Sequence, residues 1–516
     1  MKIERSKNAT RNIVFGFAQT VYSQVVPFII RTVMIYVMGV EYLGLNSLFG
    51  SVLSVLNLAE LGVGSAMVFS MYKPIAEDNK SKICALMKLY RTYYRIIGLV
   101  IAILGVAITP FIPKLIKGDI PDGLNIYILY LMNLGATVVT YWLFAYKNCL
   151  LSAHQRNDIS SKISIAVSTV TYIIQILVLV ITHNYYIYLM VLLLMNAISN
   201  IVTALVVDKI FPGYSAIGNL PKNEISKINK RVRDLFTAKL GSVIVNSVDT
   251  IVISAFLGLK ILAIYQNYYY ILNAVFGFIT VIFSACTAGI GNSIVVETEE
   301  KNYNDLKKFT LLMSWLGAFC CCSFTGMYKP FITIWVGKEN MLEDSYVLLF
   351  CIYFYVKVIN ALLNLYKDAA GMWHEDRFRP LVTALANLVM NLIMVHFWGL
   401  YGIILSTLIS MLFVGMPWLY KNLFKVLFHS GGKEYLKQLL VYSLALVLSV
   451  SVYKVLVSLI NIQSNIITLI INAIMAIVVS NVIFFCLFRK QNEFKQLIHL
   501  IDGLTKGKIR ILKRLV

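Results

Sequence analysis

The sequence predicts an all-α polytopic membrane protein of fourteen transmembrane helices, in two pseudo-symmetric six-helix lobes followed by an appended pair. Three observations predict it. Hydrophobic residues make up 59% of the chain and charged ones 14%, with a mean hydropathy of +0.75, well beyond the roughly 45–50% apolar content of soluble domains. Long apolar runs alternate with short polar connectors, as spans and loops do. The chain also repeats itself about halfway along. Tyr146-Lys147 recurs as Tyr366-Lys367, His154 as His374, and Pro110-Phe111-Ile112 as Pro330-Phe331-Ile332, all at an offset of 220 residues. Gly39 matches Gly258 at an offset of 219. Two copies of one bundle leave a natural cleft between them, and membrane transporters rock such halves against each other.

The predicted spans are 12–38, 45–71, 96–116, 124–146, 163–182, 185–207, 240–257, 263–293, 309–328, 345–366, 380–397, 401–420, 438–460 and 465–487. The first follows a short charged stretch and runs for roughly 27 mostly apolar residues, too long for the apolar region of a signal peptide. Spans 1–6 form the first lobe, residues 1–207. Residues 208–237 form a cytoplasmic linker, and its cations Lys222, Lys227, Lys230, Arg231 and Arg233 predict a helix lying at the lipid surface. Spans 7–12 form the second lobe, 238–425. Six spans return the chain to its starting side, so the repeats are parallel. Residues 426–488 hold spans 13 and 14, which have no counterpart in the repeat. The tail, 489–516, is basic and amphipathic (Phe494, Leu497, Ile498, Ile501, Leu504), which suits anionic lipid.

The formal net charge of +21 follows the positive-inside rule rather than marking a nucleic-acid binder. With both termini cytoplasmic, 38 of the 46 Lys and Arg fall on inside segments, and only Lys114, Lys117, Lys260, Lys329, Lys338 and Lys454 lie outside. No separate basic domain exists, so no nucleic-acid partner is expected. The eight cysteines show no CxxC or Cys/His ligand spacing, and the Cys320–Cys322 triplet sits mid-helix, so apolar-seated thiols are expected. No nucleotide, nucleophile-elbow or zinc-protease motif appears in its needed context. The outside loops are too short for a large external active site, so no catalytic residue, cofactor or metal is expected.

Charges inside spans are expensive and mark function by default. Arg31 lies about 12 Å in from the outer end of span 1 and shares a helix face with Thr20, Gln24 and Pro27. Asp249 lies at similar depth in span 7, on a face with Ser242 and Asn246. A cation and an anion thus hold near-equivalent places in the two halves. Either they pair across the cleft or each is satisfied within its own half. Span 10 carries a continuous polar stripe, Tyr353, Lys357, Asn360, Asn364 and Lys367, with Lys357 about 18 Å in. The stripe lines either a cargo path or a hydrogen-bonded seam. Mid-membrane cations suit phosphate-rich or acidic sugar cargo. Glu60, deep in span 2, is either a counter-ion for Arg31 or Lys357 or a protonatable coupling group. Tyr265, Tyr268, Tyr269 and Tyr270 with Gln266, Asn267 and Asn273 suit sugar stacking and, equally, helix packing. His154 and His374 sit at corresponding cytoplasmic turns, which predicts a shared structural job. Without an ATP site, transport would run on a Na⁺ or H⁺ gradient or on the cargo's own gradient.

In Arg31 on span 1, Gly39-Val40-Glu41-Tyr42-Leu43-Gly44, Leu61-Gly62-Val63-Gly64, and Tyr146-Lys147 ahead of a cytoplasmic turn, the chain resembles the Wzx-like polysaccharide flippases of the multidrug/oligosaccharidyl-lipid/polysaccharide (MOP) exporter superfamily. The resemblance spans the whole chain through diffuse motifs. It implies a MATE-like fold with a V-shaped cationic cavity and alternating access. The implied cargo is an undecaprenyl-pyrophosphate-linked oligosaccharide moved from the inner to the outer leaflet of a bacterial plasma membrane, for capsule or exopolysaccharide. By that resemblance Arg31, Lys357, Asn360 and Asn364 would contact the cargo; from the helix faces themselves Gln24 and Tyr353 are further candidate cargo contacts, and Asp249 and Glu60 candidate gating or coupling groups. Spans 13–14 would help house the polyprenyl tail, and a polysaccharide polymerase and glycosyltransferases would be partners. The rivals are a drug/cation antiporter of the same superfamily, a membrane glycosyl polymerase or acyltransferase, and a scaffold for a synthesis complex.

Overall fold

Apolar stretches of this length fold as helices, because in lipid each backbone N–H and C=O must be satisfied within its own segment. The computed structural model describes residues 5–60, 62–118, 120–459 and 464–504, and nearly all of them are helical. The first group is α1 (Arg5–Val37), α2 (Val40–Leu56), α3 (Val63–Ala76), α4 (Lys80–Ile108), α5 (Ile126–Trp142), α6 (Asn148–Ala153), α7 (Asn157–Thr182), α8 (Tyr185–Ile210) and α9 (Lys222–Leu257). Then come α10 (Leu259–Val296), α11 (Glu299–Val336), α12 (Asp344–Ala369), α13 (Trp373–Asp376), α14 (Arg379–Ile409), α15 (Met416–Val426), α16 (Gly432–Ser458), α17 (Asn465–Phe488) and α18 (Asn492–Leu504). The chain packs as two compact units, Met1–Gln266 with Asn391–Leu400, and Asn267–Met390 with Tyr401–Val516.

Among the described residues ten helices are long and apolar enough to cross a membrane, or eleven if the pair Ile126–Trp142 and Ala145–Ala153, bent by 47°, is one span. The predicted count of fourteen is not reached, for identifiable reasons. Predicted span 2 is broken into α2 and α3 by a 3₁₀ turn, Asn57–Glu60. Span 7 survives as a short apolar stretch, Val243–Leu257. Spans 11 and 12 fall in one block, Trp373–Val426, which Gly399 kinks at φ 53°, ψ −131°.

The sequence repeat has a backbone counterpart. Gly39 (φ 110°, ψ 164°) joins α1 to α2, and Gly258 (φ 93°, ψ 173°) joins α9 to α10. Only glycine takes such angles without strain. At Gly258 a Cβ would also come within 2.8 Å of the Lys117 carbonyl oxygen. Ile112 and Ile332 of the Pro-Phe-Ile repeat are both fully buried, as are Tyr146 and Tyr366 to within a few per cent.

In the first unit α1 lies along α7 through polar contacts. The Asn12 amide donates to the Gln155 carbonyl (3.0 Å) and accepts from Asp158 N–H (2.8 Å). Gln19 bonds Ser164 (3.1 Å) and Tyr22 bonds Thr169 (2.7 Å). Between apolar helices in lipid such bonds supply much of the specificity. The predicted surface-lying linker helix is instead the first half of α9, continuous with span 7 and packed on α2 and α3. Lys82–Glu224 (2.7 Å) and Arg231 over the Phe69 ring (4.4 Å) hold it there.

In the second unit α11 is the hub, packed against α12, α16 and α17. The Asn472 amide donates to the Gly326 carbonyl (2.7 Å) and the Tyr453 hydroxyl to the Asn472 carbonyl (3.1 Å), which ties the appended pair α16–α17 into the unit. The tail was expected on lipid, but the apolar face of α18 is buried in protein. Phe494, Leu497 and Ile498 are at most 2% exposed, and the Phe494 ring stacks on Trp315 at 5.6 Å. The side chains of Ile501 and Leu504, and residues 505–516, lie outside the described residues.

Candidate cargo and coupling residues

The predicted site residues divide between the units. Gln24, Arg31, Glu60 and Asp249 are in the first, and Tyr353, Lys357, Asn360 and Asn364 in the second.

Lys357 sits in α12 facing α10. Its ammonium lies over the rings of Phe276 (4.5 Å to the centroid), Tyr269 (5.4 Å) and Tyr353 (5.5 Å). It donates to Asn273 Oδ1 at 2.6 Å. Tyr269, Asn273 and Phe276 recur at i, i+4 and i+7, so α10 presents them on one face. Ring faces carry partial negative charge, so three of them with an amide oxygen hold a cation without a carboxylate. Tyr353 and Lys357 of the predicted stripe therefore act together, joined by Tyr269 and Asn273 of the aromatic run. Phe276 went unmarked in the sequence because an apolar residue on a membrane helix carries no signal by itself.

Further along the stripe the chemistry changes. Asn360 is half-buried, and its backbone carbonyl accepts from the Asn364 amide (2.8 Å). Asn364 Oδ1 accepts from Arg379 (2.7 Å). Arg379 grips Asp376 with two bonds of 2.7 Å, and Lys367 stands 3.6 Å from the same carboxylate. Arg379 and Asp376 are 8% and 2% exposed. The far end of the stripe thus belongs to a buried ionic corner. Lys147, which corresponds to Lys367 in the repeat, pairs with Asp208 (2.7 Å), which is half-exposed.

The two histidines do not share a job, contrary to expectation. His154 is buried, bonded to the Leu150 carbonyl (2.9 Å) and set against Phe211 (4.4 Å). Burial pushes its pKa below the ordinary histidine value. His374 is exposed beside Arg377 (3.3 Å). Among the described residues no ring packs on His374 as Phe211 packs on His154.

Glu60 ends the 3₁₀ turn that separates α2 from α3. Tyr94 donates to Oε1 (2.6 Å) and Tyr141 to Oε2 (2.8 Å), while Tyr90 donates to the Tyr94 oxygen (2.6 Å). The Tyr141 hydroxyl also lies 3.2 Å from Asn57 Oδ1. Among the described residues no cation pairs with this carboxylate. The spacing of Tyr90 and Tyr94 at i, i+4 was visible, but the Lys- and Arg-rich start of α4 read as a loop. Asp249 is 7% exposed and accepts from the Asn391 amide at 2.6 Å. Arg31 and Gln24 are half-buried on α1. The side chains of Ser242 and Asn246 lie outside the described residues. All eight cysteines are free, with Cys320–Cys322 buried. Among the described residues no cluster of metal-ligating side chains occurs.

Comparison with known proteins decides the family. The family model described as "Polysaccharide biosynthesis protein" matches residues 9–287, more than half of the chain. The chain belongs to the polysaccharide biosynthesis protein family. No curated protein matches it. Its structure is similar to that of the lipid II flippase MurJ in an inward closed conformation, with a TM-score of 0.66 and 16% identity over 92% of this chain and 99% of that one. It is also similar to an inward-facing multidrug-resistance MATE transporter of the MOP superfamily (TM-score 0.58, 15% identity, 79% and 94% covered). A MOP-superfamily transporter from Pyrococcus furiosus gives a TM-score of 0.53 at 14% identity, with 82% and 96% covered. At these identities the likeness is one of fold. The family is thus one of polysaccharide biosynthesis, and the fold is the one also seen in MurJ and the MATE transporters.

Proposed function

We propose that this family member is a flippase that moves undecaprenyl-pyrophosphate-linked oligosaccharide from the inner to the outer leaflet of a bacterial plasma membrane, by alternating exposure of a cargo site to the two sides. The chain would cross the membrane fourteen times, with both termini cytoplasmic, and serve capsule or exopolysaccharide synthesis alongside a polymerase and glycosyltransferases. The observation that carries the reading is the Lys357 cluster. It places one ammonium, two phenols and an amide together in a membrane helix pair. Aromatic faces stack on sugar rings, and an ammonium holds phosphate as a point charge. Arg31 and Gln24 on α1, with Asn360, complete the proposed cargo contacts. Asn364 supports them from the ionic corner. Arg31 and Asp249 are proposed to pair as an outer gate, which a charge swap tests: the double exchange must rescue what each single reversal loses.

The deciding experiment reconstitutes purified protein in liposomes with a periodate-accessible undecaprenyl-pyrophosphate oligosaccharide, with and without a Na⁺ or proton gradient. Translocation that falls in Arg31→Ala and Lys357→Ala supports the reading. Efflux of drug cations from the same vesicles, with no lipid movement, overturns it in favour of the antiporter.

A further inference from the structure

The surroundings of Lys357 form a binding site for an ammonium group as such, and only the tether makes that group part of the protein. Phe276, Tyr269 and Tyr353 place ring centroids 4.5, 5.4 and 5.5 Å from the nitrogen, and Asn273 Oδ1 accepts from it at 2.6 Å. The two phenols stand side by side, with ring centroids 6.3 Å apart and hydroxyls 3.5 Å apart. No carboxylate is among these partners. The lysine itself is half-buried, and its four-carbon stem turns about flexible bonds. Asn360 lies one turn further along the same face of α12. Side-chain rotation alone can therefore carry the ammonium out of the rings toward an anion on that side.

Its departure costs the site twice. The ring faces lose the positive charge they attract, and Asn273 Oδ1 loses its donor. A sugar hydroxyl or a water restores only the second. A protonated amino group restores both. We propose that the cage takes a protonated amine of the cargo: Lys357 swings out to the cargo phosphate, and an amino sugar beside that phosphate fills the vacated place among Tyr269, Asn273, Phe276 and Tyr353.

The cargo class is then zwitterionic, with an anion for the lysine and a cation for the rings. One tethered ammonium recognises two groups of opposite sign, because it binds the first and by doing so makes room for the second. No bond is made or broken and no proton is transferred. The cargo assignment rests on the flippase reading and narrows it. The affinity of the emptied cage for an amine does not depend on that reading.

The cage is tested in full-length Lys357→Ala in lipid nanodiscs, with n-propylammonium as the probe. That ion replaces the atoms the substitution removes, and propan-1-ol is its neutral match. The ion should raise the unfolding midpoint of the variant, with half-saturation at about one-tenth of the alcohol concentration. Adding Phe276→Leu should remove most of that preference, and wild type, whose cage is full, should show none. Equal responses to ion and alcohol overturn the site. The cargo is tested on wild type in the liposome assay, which needs no variant to fold. Two undecaprenyl-pyrophosphate disaccharides are compared that differ only in one amino group, free or N-acetylated, on the sugar next to the pyrophosphate. The free amine should half-saturate transport at about tenfold lower concentration, and Phe276→Leu should narrow that gap. Equal movement of both lipids, or preference for the acetylated one, overturns the cargo assignment while the flippase reading stands. Movement of neither refutes the flippase reading and the cargo assignment with it, and leaves the propylammonium result to decide the cage alone.

Discussion

Charges within the predicted spans and charges at the turns that follow α5 and α12 are held in different ways. Glu60 is bonded by the O–H edges of two tyrosines, and Lys357 is covered by the faces of three aromatic rings. At the corners Asp376 meets Arg379 and Lys367, and Lys147 meets Asp208. The difference follows from what each place must do. An ion pair gains most where both partners stay put, and in low dielectric it is hard to open. An aromatic or phenolic partner stabilises a charge while leaving it able to exchange that partner for a proton or a phosphate. Corners that only hold helices together can use ion pairs, whereas Glu60 and Lys357 keep partners that can be exchanged.

This contrast can be broken at its strongest point first. Arg379→Ala leaves Asp376 buried without its two-bond partner and should cost about 3–5 kcal/mol of stability. The expected observation is a much lower thermal unfolding midpoint in detergent. A variant as stable as wild type but inactive would make the corner a cargo site instead. Lys357→Met should do the reverse. It keeps the side-chain bulk among the rings, so the fold survives, while translocation at sub-saturating cargo falls about thirtyfold or more, the lower end of what losing one member of a desolvated charge contact costs. Normal transport by this variant would remove Lys357 from the cargo path. Phe276→Leu tests the ring faces themselves. It removes the nearest ring and leaves Asn273 bonded, so half-saturation for cargo should rise roughly fivefold, about 1 kcal/mol. A change in stability with unaltered half-saturation would mean that Phe276 only packs.

Much of this was legible in the sequence. The repeat located Gly39 and Gly258, 219 residues apart, whose backbone angles agree closely, because a positive φ restricts the residue to glycine and so leaves a mark. Lys357 and Tyr353 were found because a polar stripe on an apolar helix is conspicuous. The partners were harder to see. Phe276 is one apolar residue among many on α10, and Tyr90 and Tyr94 lie in a stretch of α4 whose cations lowered its hydropathy. Asn391 joins Asp249 across 142 residues of chain, which no local pattern records. The histidine pair misled for a related reason. Recurrence marks corresponding places in the two halves, but burial depends on what packs over them, and Phe211 covers only His154. The amphipathic tail misled because a helix face that suits lipid suits Trp315 and Phe485 equally well.

The smallest expected effect belongs to the corner of the first unit, and there salt makes the comparison sharpest. Lys147 is 14% exposed and Asp208 50% exposed, so water shares the pair, and Lys147→Ala should cost under about 1 kcal/mol. Exposed charges are screened over about 8 Å at physiological ionic strength and about 3 Å near 1 M salt. The difference in unfolding midpoint between wild type and Lys147→Ala should therefore shrink as salt is raised, while that of Arg379→Ala, whose partner is 2% exposed, should hold. If both deficits fade together, the Asp376–Arg379 corner is open to solvent in the working protein, and the division between fixed and exchangeable charges fails at the very pair that defines it.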